Sequence, residues 1–455
     1  MGVVVQFVSL FMPLDHWMVQ VFSAAPILFR LRKLYTYLTT KIKWKPHVLV
    51  LAFSMAMIGY GLLSASYEIV HPDTLDYHDT IILFAAKYGL VPGVAQVNER
   101  AGLQSTWFLL QALFRFPVFH TSMPSFLNPA VLTWIIVYLL DPVQKSFAQK
   151  RFTVPAGIGV LLLCAGFLNP NLFFLSTISA TNDVAVCLFL GIAFWLLWHY
   201  SWNWIAILFL LFAFTVKASA FPALLLLLVA PRKLWPGIAV LALLVFLPFT
   251  YRNYISSGYP LFPTAIGAFW NPDWKLPDSV RREVVKIVND YATALWQHEE
   301  LNYRTIIFWI TALCMLPWPL LQWKTLWKRH NGLPIYILLT CLAGVIYCIV
   351  LGPTFRFAAA YLLSISVIGA SCLAYSLPPR TTWLNYTKWT ILALTILIGL
   401  YDLYRVKKYF RADMLVSPIG IVERIPFPPH QETAEPRGPS VKDGYRYKAV
   451  TQQHH

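Results

Sequence analysis

The stretch DTLDYHDT, residues 73–80, places three carboxylates and a histidine directly after a long apolar run. A carboxylate held at such a boundary can take a proton from a hydroxyl nucleophile and so act as a general base. If the stretch is helical, at about 100° per residue, Asp73 and Asp76 share one arc with Thr80 and Lys87. The spacing therefore predicts a catalytic base, with Asp73 as the first candidate and Asp76 as the second.

An aromatic stripe adjoins this acidic arc and consists of Tyr77, Ile81, Phe84 and Tyr88. Aromatic rings are enriched where a membrane meets water. We therefore expect an amphipathic helix on the membrane surface, whose acidic edge lies where a water-soluble substrate meets a lipid-borne one. Tyr77 and His78 would line this cavity, although His78 falls off the arc and suits packing or hydrogen bonding better. The alternative is that the carboxylates only stabilise the positive end of the helix dipole.

The composition indicates the environment in which these residues act. Of 455 residues, 58% are hydrophobic and 12% are charged, against roughly 25% charged residues in a soluble domain. The net charge of +16 is then explained by membrane topology before nucleic acid, because Lys and Arg hold cytoplasmic loops on their side. The six cysteines fall in apolar runs, without the spacing of a disulfide framework or a zinc site. The composition predicts an all-α polytopic membrane protein.

Apolar runs and basic stretches set the predicted topology. The segment RLRKLYTYLTTKIKWK, residues 30–45, is a cytoplasmic marker, so DTLDYHDT emerges on the opposite side. Apolar runs of about 20 residues are long enough to cross a bilayer. The pattern predicts about thirteen transmembrane helices, formed by a hairpin before residue 31 and spans near 47–68, 125–141, 153–170, 184–198, 203–217, 219–231, 235–250, 304–322, 333–351, 358–377 and 387–404.

In this topology the transmembrane domain covers residues 1–404, and segments 70–104, 251–303 and 405–455 project from the outer face. One step is open, because the apolar run that contains Lys217 could be one long helix or two short ones. A lysine in the middle of a span costs about 2.5 to 3.5 kcal/mol. We therefore prefer two helices that meet at the outer surface near Lys217.

An acidic motif in the first outer segment, followed by amphipathic helices, resembles the GT-C superfamily of membrane glycosyltransferases. More closely, the chain is similar to a group of bacterial inner-membrane proteins of this type. The similarity covers nearly the whole length and is carried by the stretches FMPLDHW, HPDTLDYH, YGLVPGVAQVNERAGLQSTWF, VKASAFP, YRNYISSGYPLFP, GPTFRFAAAYL and PRGPSVKDGYRYK. The resemblance implies a GT-C-like bundle with amphipathic helices in the first periplasmic segment.

The resemblance also implies an activity. GT-C enzymes use a sugar linked to a polyprenyl phosphate, such as undecaprenyl phosphate, and an acidic residue of the first loop as base. The expected acceptor is a hydroxyl of a glycan, lipid or protein at the periplasmic face of the inner membrane. The sequence departs from the family pattern in beginning inside the first helix and in lacking an Asp-x-Asp metal motif. We therefore assign no metal ligand and leave a divalent cation open.

A polyprenyl phosphate needs cations at the outer membrane boundary, and arginine is favoured because its planar fork binds phosphate oxygens in pairs. Arg356, in GPTFRF at a predicted outer helix end, is the first candidate. Lys217 reaches the same level, and Arg252 and Arg100 follow. The alternative for each cation is a snorkelling residue that anchors its helix.

Three further residues would line the same cavity. Asn182 and Asp183 lie at the outer end of a predicted span, and Tyr259 lies in the second outer segment. A helix cap and the aromatic belt of the interface are the alternatives for these residues. In the expected reaction Asp73 activates the acceptor hydroxyl, which attacks the anomeric carbon from the face opposite the phosphate. Arg356 and Lys217 then stabilise the charge on the leaving polyprenyl phosphate.

Two other functions fit parts of the sequence. An ion-coupled transporter would use the buried charges, but such folds usually show two related halves with broken helices, which the sequence lacks. A ligase or polymerase of lipid-linked glycans would move the chemistry to the second outer segment, where His298, Arg281 and Arg282 would matter more than Asp73.

Overall fold

A computed structural model of the chain describes residues 2–22, 73–114, 179–298, 303–330, 332–351, 355–376 and 381–409, and residues 48, 52–53, 55–56, 127–128, 131 and 146–147. Over these residues the regular elements are helices, and no strand occurs. The α-helices are α1 (Gly2–Val8), α2 (Asp79–Lys87), α3 (Val94–Val97), α4 (Thr106–Leu113), α5 (Asp183–Tyr200), α6 (Trp204–Val216), α7 (Trp235–Ser257), α8 (Asp278–His298), α9 (Tyr303–Met315), α10 (Pro317–Leu321), α11 (Trp323–His330), α12 (Leu333–Leu351), α13 (Phe355–Ser376) and α14 (Thr381–Tyr409). A π-helical turn (Thr74–His78) and 3-10 helices (Glu99–Gly102, Ala218–Val229 and Arg232–Leu234) complete the set.

The predicted GT-C-like bundle of about thirteen membrane-spanning helices is wrong. In the described part of the chain, two helical segments, Arg232–Ser257 and Leu333–Val350, are long and apolar enough to cross a membrane. Six further apolar helical segments of 10–17 residues lie in the described part of the chain, among them Trp204–Val216, which is α6. At about 1.5 Å per residue the 13 residues of α6 fall short of a hydrocarbon core of roughly 30 Å. The spans expected at 153–170, and most of 47–68 and 125–141, lie outside the described residues.

The break at Lys217 is an example. Helix α6 ends at Val216, Lys217 is extended (φ −157°, ψ 137°), and the 3-10 helix begins at Ala218. Pro222 lies inside this 3-10 helix and has no backbone N–H to donate to an α-helical ladder. The two segments pack side by side, with Leu211 of α6 in a cluster that includes Leu224. The predicted break between two short helices at Lys217 is confirmed, and its position at the outer membrane surface stays a prediction.

The main hydrophobic core surrounds α5. Its buried side chains include Leu190 of α5, Leu210 of α6 and Trp107 of α4, and Ile337 of α12 and Tyr361 of α13 pack into the same cluster. The first outer segment joins this core through α2, whose Ile82 is fully buried. The helix that carries the acidic stretch is therefore packed against the protein along one face.

A second, smaller core joins the segments 73–104 and 251–298, which the sequence predicts on the outer face and which are called the first and second outer segments. Ala95 of α3 packs with Tyr259 and Phe262 of the second segment and with Val284 of α8. The backbone N–H of Gly93 donates to the carbonyl of Ile255, near the end of α7, at 2.9 Å. The acidic stretch and the second outer segment therefore share one platform at the same end of α7.

Gly93 is a close backbone approach in this platform and gives the first prediction. Its φ of +68° favours glycine, and a Cβ there would lie 2.8 Å from Cβ of Trp274. Gly93→Ala should therefore lower the free energy of unfolding by about 1 to 3 kcal/mol, measured by denaturant titration in detergent. The matched control is Gly191→Ala in α5, where a Cβ meets open space and stability should hold or rise. Equal stability of Gly93→Ala and wild type would contradict the close packing.

Candidate functional site

The acidic residues of the first outer segment lie on the π-helical turn that leads into α2. Thr74 anchors this turn, because its buried hydroxyl accepts a hydrogen bond from the backbone N–H of Ala180 at 3.2 Å. Its two carboxylate neighbours are differently exposed, Asp73 being half-buried and Asp76 exposed. π-helical turns are rare in proteins overall, and those that occur often lie at functional sites. The turn presents both carboxylates at the surface of a packed element.

Arg100 brings the two carboxylates together. Its Nη1 donates to Oδ2 of Asp76 at 2.7 Å and lies 4.0 Å from Oδ1 of Asp73. Asn98 caps the short helix that carries Arg100 by accepting from its backbone N–H at 2.9 Å. Nδ2 of Asn98 also donates to the backbone carbonyl of Asp76 at 2.8 Å and to its Oδ1 at 3.4 Å. Two side chains of one turn therefore fix the position of Asp76.

The two carboxylates are placed for different roles. Asp76 accepts from both Arg100 and Asn98, so its charge is offset and its oxygens are engaged. Asp73 lies 4.0 Å from the guanidinium, beyond hydrogen-bond distance but within electrostatic reach. Asp73 stays the first candidate for the base, and Asp76 with Arg100 forms a charged frame beside it.

His78 has a packing and hydrogen-bonding position. It is buried, with Nδ1 3.1 Å from the hydroxyl of Thr74 and its ring centroid 4.6 Å from that of Phe108. Because Thr74 accepts from the backbone, its own proton is available to Nδ1. Tyr77 is half-buried and meets the ring of His78 edge-on. This geometry agrees with the role that the sequence favours for His78.

A second charged group lies in the core, where the ammonium of Lys217 pairs with the carboxylate of Asp183. The side chains are 20% and 8% exposed, respectively. The ammonium also lies 4.1 Å from the centroid of the Phe357 ring, which is a cation–π distance. Charges are expensive to bury even when paired. A buried pair at a break between helices is therefore a functional candidate.

Two helix starts are tied to the break beside Lys217. The carbonyl of Val216 accepts from Nδ2 of Asn182 at 2.8 Å and from Oγ of Ser105 at 2.7 Å. Asn182 directly precedes α5, and Ser105 caps α4 by accepting from the N–H of Trp107 at 3.2 Å. The N-termini of α4 and α5 therefore begin at this break, and each contributes partial positive charge.

Helix α13 adds a third start. Phe357, in its first turn, carries the ring against Lys217, and one turn later the hydroxyl of Tyr361 donates to the carbonyl of Ser219 at 2.8 Å. Arg356 precedes Phe357 on this helix. The predicted phosphate ligand thus occupies the backbone position next to the residue that contacts Lys217.

The acidic turn and the pair of Lys217 and Asp183 are connected through one short segment. The contact between Thr74 and Ala180 lies next to Asp73 on one side and three residues before Asp183 on the other. Residues 179–181 are held in place by Asn128, whose Nδ2 donates to the carbonyls on both sides of Ala180 at 2.8 Å each. The segment that begins α5 therefore links the candidate base to the buried lysine.

Two predicted residues have other contacts. Arg252 is 4% exposed, and its Nη2 donates to the carbonyl of Ser9 at 2.9 Å, which joins α7 to the end of α1. Tyr259 is 1% exposed, and its hydroxyl donates to the carbonyl of Leu276 at 2.9 Å. Burial raises the pKa of Tyr259, so the phenol stays protonated. Phosphate binding by Arg252 stays a prediction.

Three residues of the site were not singled out by the sequence. Asn98, Thr74 and Ser105 position the charged groups without carrying charge themselves. Asn98 and Ser105 are residue types that favour the N-cap position, which is the signal that could have found them. The contact of Thr74 with Ala180 joins residues 106 positions apart and has no local signal.

A metal centre was left open by the sequence. Within the described ranges, no group of three or more His, Cys, Asp or Glu side chains is arranged to hold a metal ion. Asp73 and Asp76 share an arginine in this structure. The use of a divalent cation stays a prediction.

The site lies inside a region that matches a known family. A sequence model of a domain of unknown function (DUF8201) matches residues 1–363. The chain belongs to this family. No curated protein and no solved structure matches the chain. The DUF8201 region contains both carboxylates, the buried pair and the start of α13, so all parts of the candidate site fall within it.

Proposed function

We propose that this DUF8201 protein is an inverting membrane glycosyltransferase. It moves a sugar from a polyprenyl-phosphate donor to an acceptor hydroxyl at the periplasmic face of a bacterial inner membrane. The observation that carries the proposal is the pair Asp73 and Asp76, joined through one short segment to Lys217, a partly buried lysine beside the starts of three helices. Transfer needs these two parts, a base for the hydroxyl and positive groups for the leaving phosphate. The two candidate membrane helices and the resemblance of the acidic loop to the GT-C superfamily support the setting.

The carboxylates supply the base. Asp73 accepts the proton of the acceptor hydroxyl as its oxygen attacks the anomeric carbon. Arg100 offsets the charge of Asp76 and lies 4.0 Å from Asp73. Arg100 and Asp76 therefore set the electrostatic environment of the base. The bond from the anomeric carbon to the phosphate oxygen breaks, and its electron pair leaves with the phosphate. Attack from the opposite face inverts the anomeric configuration.

The buried lysine serves the leaving group. An ammonium has three N–H donors and can therefore serve a carboxylate and a phosphate oxygen together. The starts of α5 and α13 lie beside it and add partial positive charge. Arg356, by its place in the first turn of α13, is the further phosphate ligand of this proposal. Asp183 offsets Lys217 when no phosphate is bound.

An ion-coupled transporter is the second candidate, and one observation favours it. The pair of Lys217 and Asp183 lies at a break between helices, and transporters bind their ions at such breaks. Asp73 and Asp76, which lie beside Arg100, have no role in ion-coupled transport at this break. We therefore prefer the transferase.

Transfer can be tested with the purified full-length protein in mild detergent. The protein is supplied with a panel of undecaprenyl-phosphate sugars and a glycan extract of the cell envelope, and released undecaprenyl phosphate is quantified by mass spectrometry. We expect release that needs both donor and extract, and NMR of the product should show an anomeric configuration opposite to that of the donor. A retained configuration would overturn the inverting mechanism. No release with any donor, together with ion-driven uptake into proteoliposomes, would replace the transferase with the transporter.

A further inference from the structure

A cavity lies in the second outer segment, apart from the acidic turn. Its volume is about 320 Å³, and its polar lining consists of Tyr259, Asn271, Lys275 and Asp278. This size is at the small end of the range for ligand sites, roughly 300 to 1,000 Å³, and suits one sugar unit. The remaining lining is apolar and small, including Ala265, so the polar groups determine what the cavity can hold.

Positive charge dominates around the cavity. Asp278 is the carboxylate of the lining, and its two oxygens lie 2.7 Å from Nε of Arg281 and 3.4 Å from Nε of Arg282. The hydrogen bond from Arg281 lowers the pKa of Asp278, so this carboxylate is ionised at neutral pH. Its negative charge is offset by the two arginines. Lys275 donates to Oδ1 of Asn271 at 2.6 Å. The described residues place no carboxylate within 4.0 Å of its ammonium, so the cavity has an excess of positive charge.

The wall of the cavity is held rigidly. The ammonium of Lys275 lies 4.9 Å from the centroid of the Tyr259 ring, and the guanidinium of Arg281 lies 5.5 Å from the same centroid. The hydroxyl of Tyr259 is fixed on the carbonyl of Leu276, and Nη1 of Arg281 donates to the carbonyl of Pro263 at 2.8 Å. Tyr259 also belongs to the core that joins the two outer segments. The cavity is therefore preorganised and on the same platform as Asp73.

We propose that this cavity binds an acidic sugar unit, bearing a carboxylate or a phosphate group, on the acceptor glycan. The inference rests on the proposed function, since it names the substrate class that meets the base. Lys275 binds the acidic group, and the side-chain amide of Asn271 binds sugar hydroxyls. Trp270, the residue before Asn271, is 64% exposed and offers an aromatic face for the adjoining sugar ring.

The inference is tested by titrating the full-length protein in detergent with D-glucuronate, glucose 6-phosphate and D-glucose, followed by saturation-transfer NMR, and with inorganic phosphate as a competitor against the bound sugars. One or both of the acidic sugars should bind more tightly than glucose and than inorganic phosphate, and the comparison between them identifies the acidic group. Lys275→Gln should weaken that binding about ten-fold and leave glucose unchanged. Lys275→Arg keeps the charge and should retain binding.

The matched control is Lys286→Gln, an exposed lysine of α8, which should bind as wild type does. Acidic sugars that bind no better than glucose, or equal effects of Lys275→Gln and Lys286→Gln, would overturn the inference. Binding to Asp73→Asn separates the two proposals, because it should match wild type even though transfer is lost. If transfer fails with every donor while the acidic sugar still binds through Lys275, the proposed function falls and the cavity assignment stands.

Discussion

Asp73→Asn should lower the rate of sugar transfer by about 100- to 10,000-fold, the usual contribution of a general base. An amide keeps the shape of the side chain but cannot take the proton of the acceptor. The thermal unfolding midpoint of the variant is measured alongside, so that a loss of folding is distinguished from a loss of the base. The rate is read as release of undecaprenyl phosphate from the donor, with wild type and variant compared at equal protein.

Two further variants make this prediction specific. Asp290→Asn changes an exposed carboxylate of α8 and should leave the rate unchanged. Asp76→Asn removes the acceptor of the 2.7 Å hydrogen bond from Arg100, so the rate should fall by a smaller factor as the frame around Asp73 loosens. A rate for Asp73→Asn within a few-fold of wild type would show that the base lies elsewhere.

The second large effect concerns the buried pair. Asp183→Asn removes the carboxylate that offsets Lys217, whose side chain is 20% exposed. Removing one partner of a buried pair typically costs about 3 to 5 kcal/mol, so the free energy of unfolding in detergent should fall by that order. The measurement is a denaturant titration followed by tryptophan fluorescence.

The double variant Asp183→Asn with Lys217→Met tests the cause of this loss. It leaves no buried charge at the break, so most of the lost stability should return, whereas sugar transfer should stay lost because the cation for the leaving phosphate is gone. Lys233→Met, at an exposed position, is the control for removing a lysine. If the double variant were as unstable as Asp183→Asn, loss of packing rather than an offset charge would explain the effect.

Local spacing was enough to predict part of the site. The helical interval between Asp73 and Asp76 puts both beside one guanidinium, and the cost of a lysine within a span predicts the break at Lys217. These predictions depend on a few consecutive residues and on general helix geometry. They needed no knowledge of the rest of the chain.

Distant contacts were beyond local reasoning. The partner of Asp76 is an arginine 24 residues away, and Thr74 meets a backbone N–H 106 residues away. The π-helical turn also departs from the projection at about 100° per residue. Arg252 shows the same limit, because the contact of its guanidinium with the carbonyl of Ser9 joins residues 243 positions apart.

The number of membrane spans was overestimated for a physical reason. Hydropathy treats an apolar run as one helix, but a helix needs an unbroken hydrogen-bond ladder of about 20 residues to cross a bilayer. The two segments that meet at Lys217 have only 13 and 12 residues, and the run 304–322 is divided between α9 and α10. The two candidate membrane helices differ in burial. In the apolar part of Arg232–Ser257, 11% of the residues are buried in the protein, against 50% in Leu333–Val350. The first of these has the larger surface for lipid.

The most direct test of the account is native mass spectrometry of the protein purified in mild detergent, with wild type, Asp73→Asn and Arg356→Ala compared for the masses of co-purified lipids. We expect a polyprenyl phosphate or its glycoside to co-purify with wild type. Asp73→Asn should carry more of the glycoside, because the donor binds but does not react, and Arg356→Ala should carry less of both lipids. The mass increment over the polyprenyl phosphate would give the sugar class. Ordinary phospholipids alone on all three proteins would contradict the assignment of the site to a polyprenyl-phosphate donor.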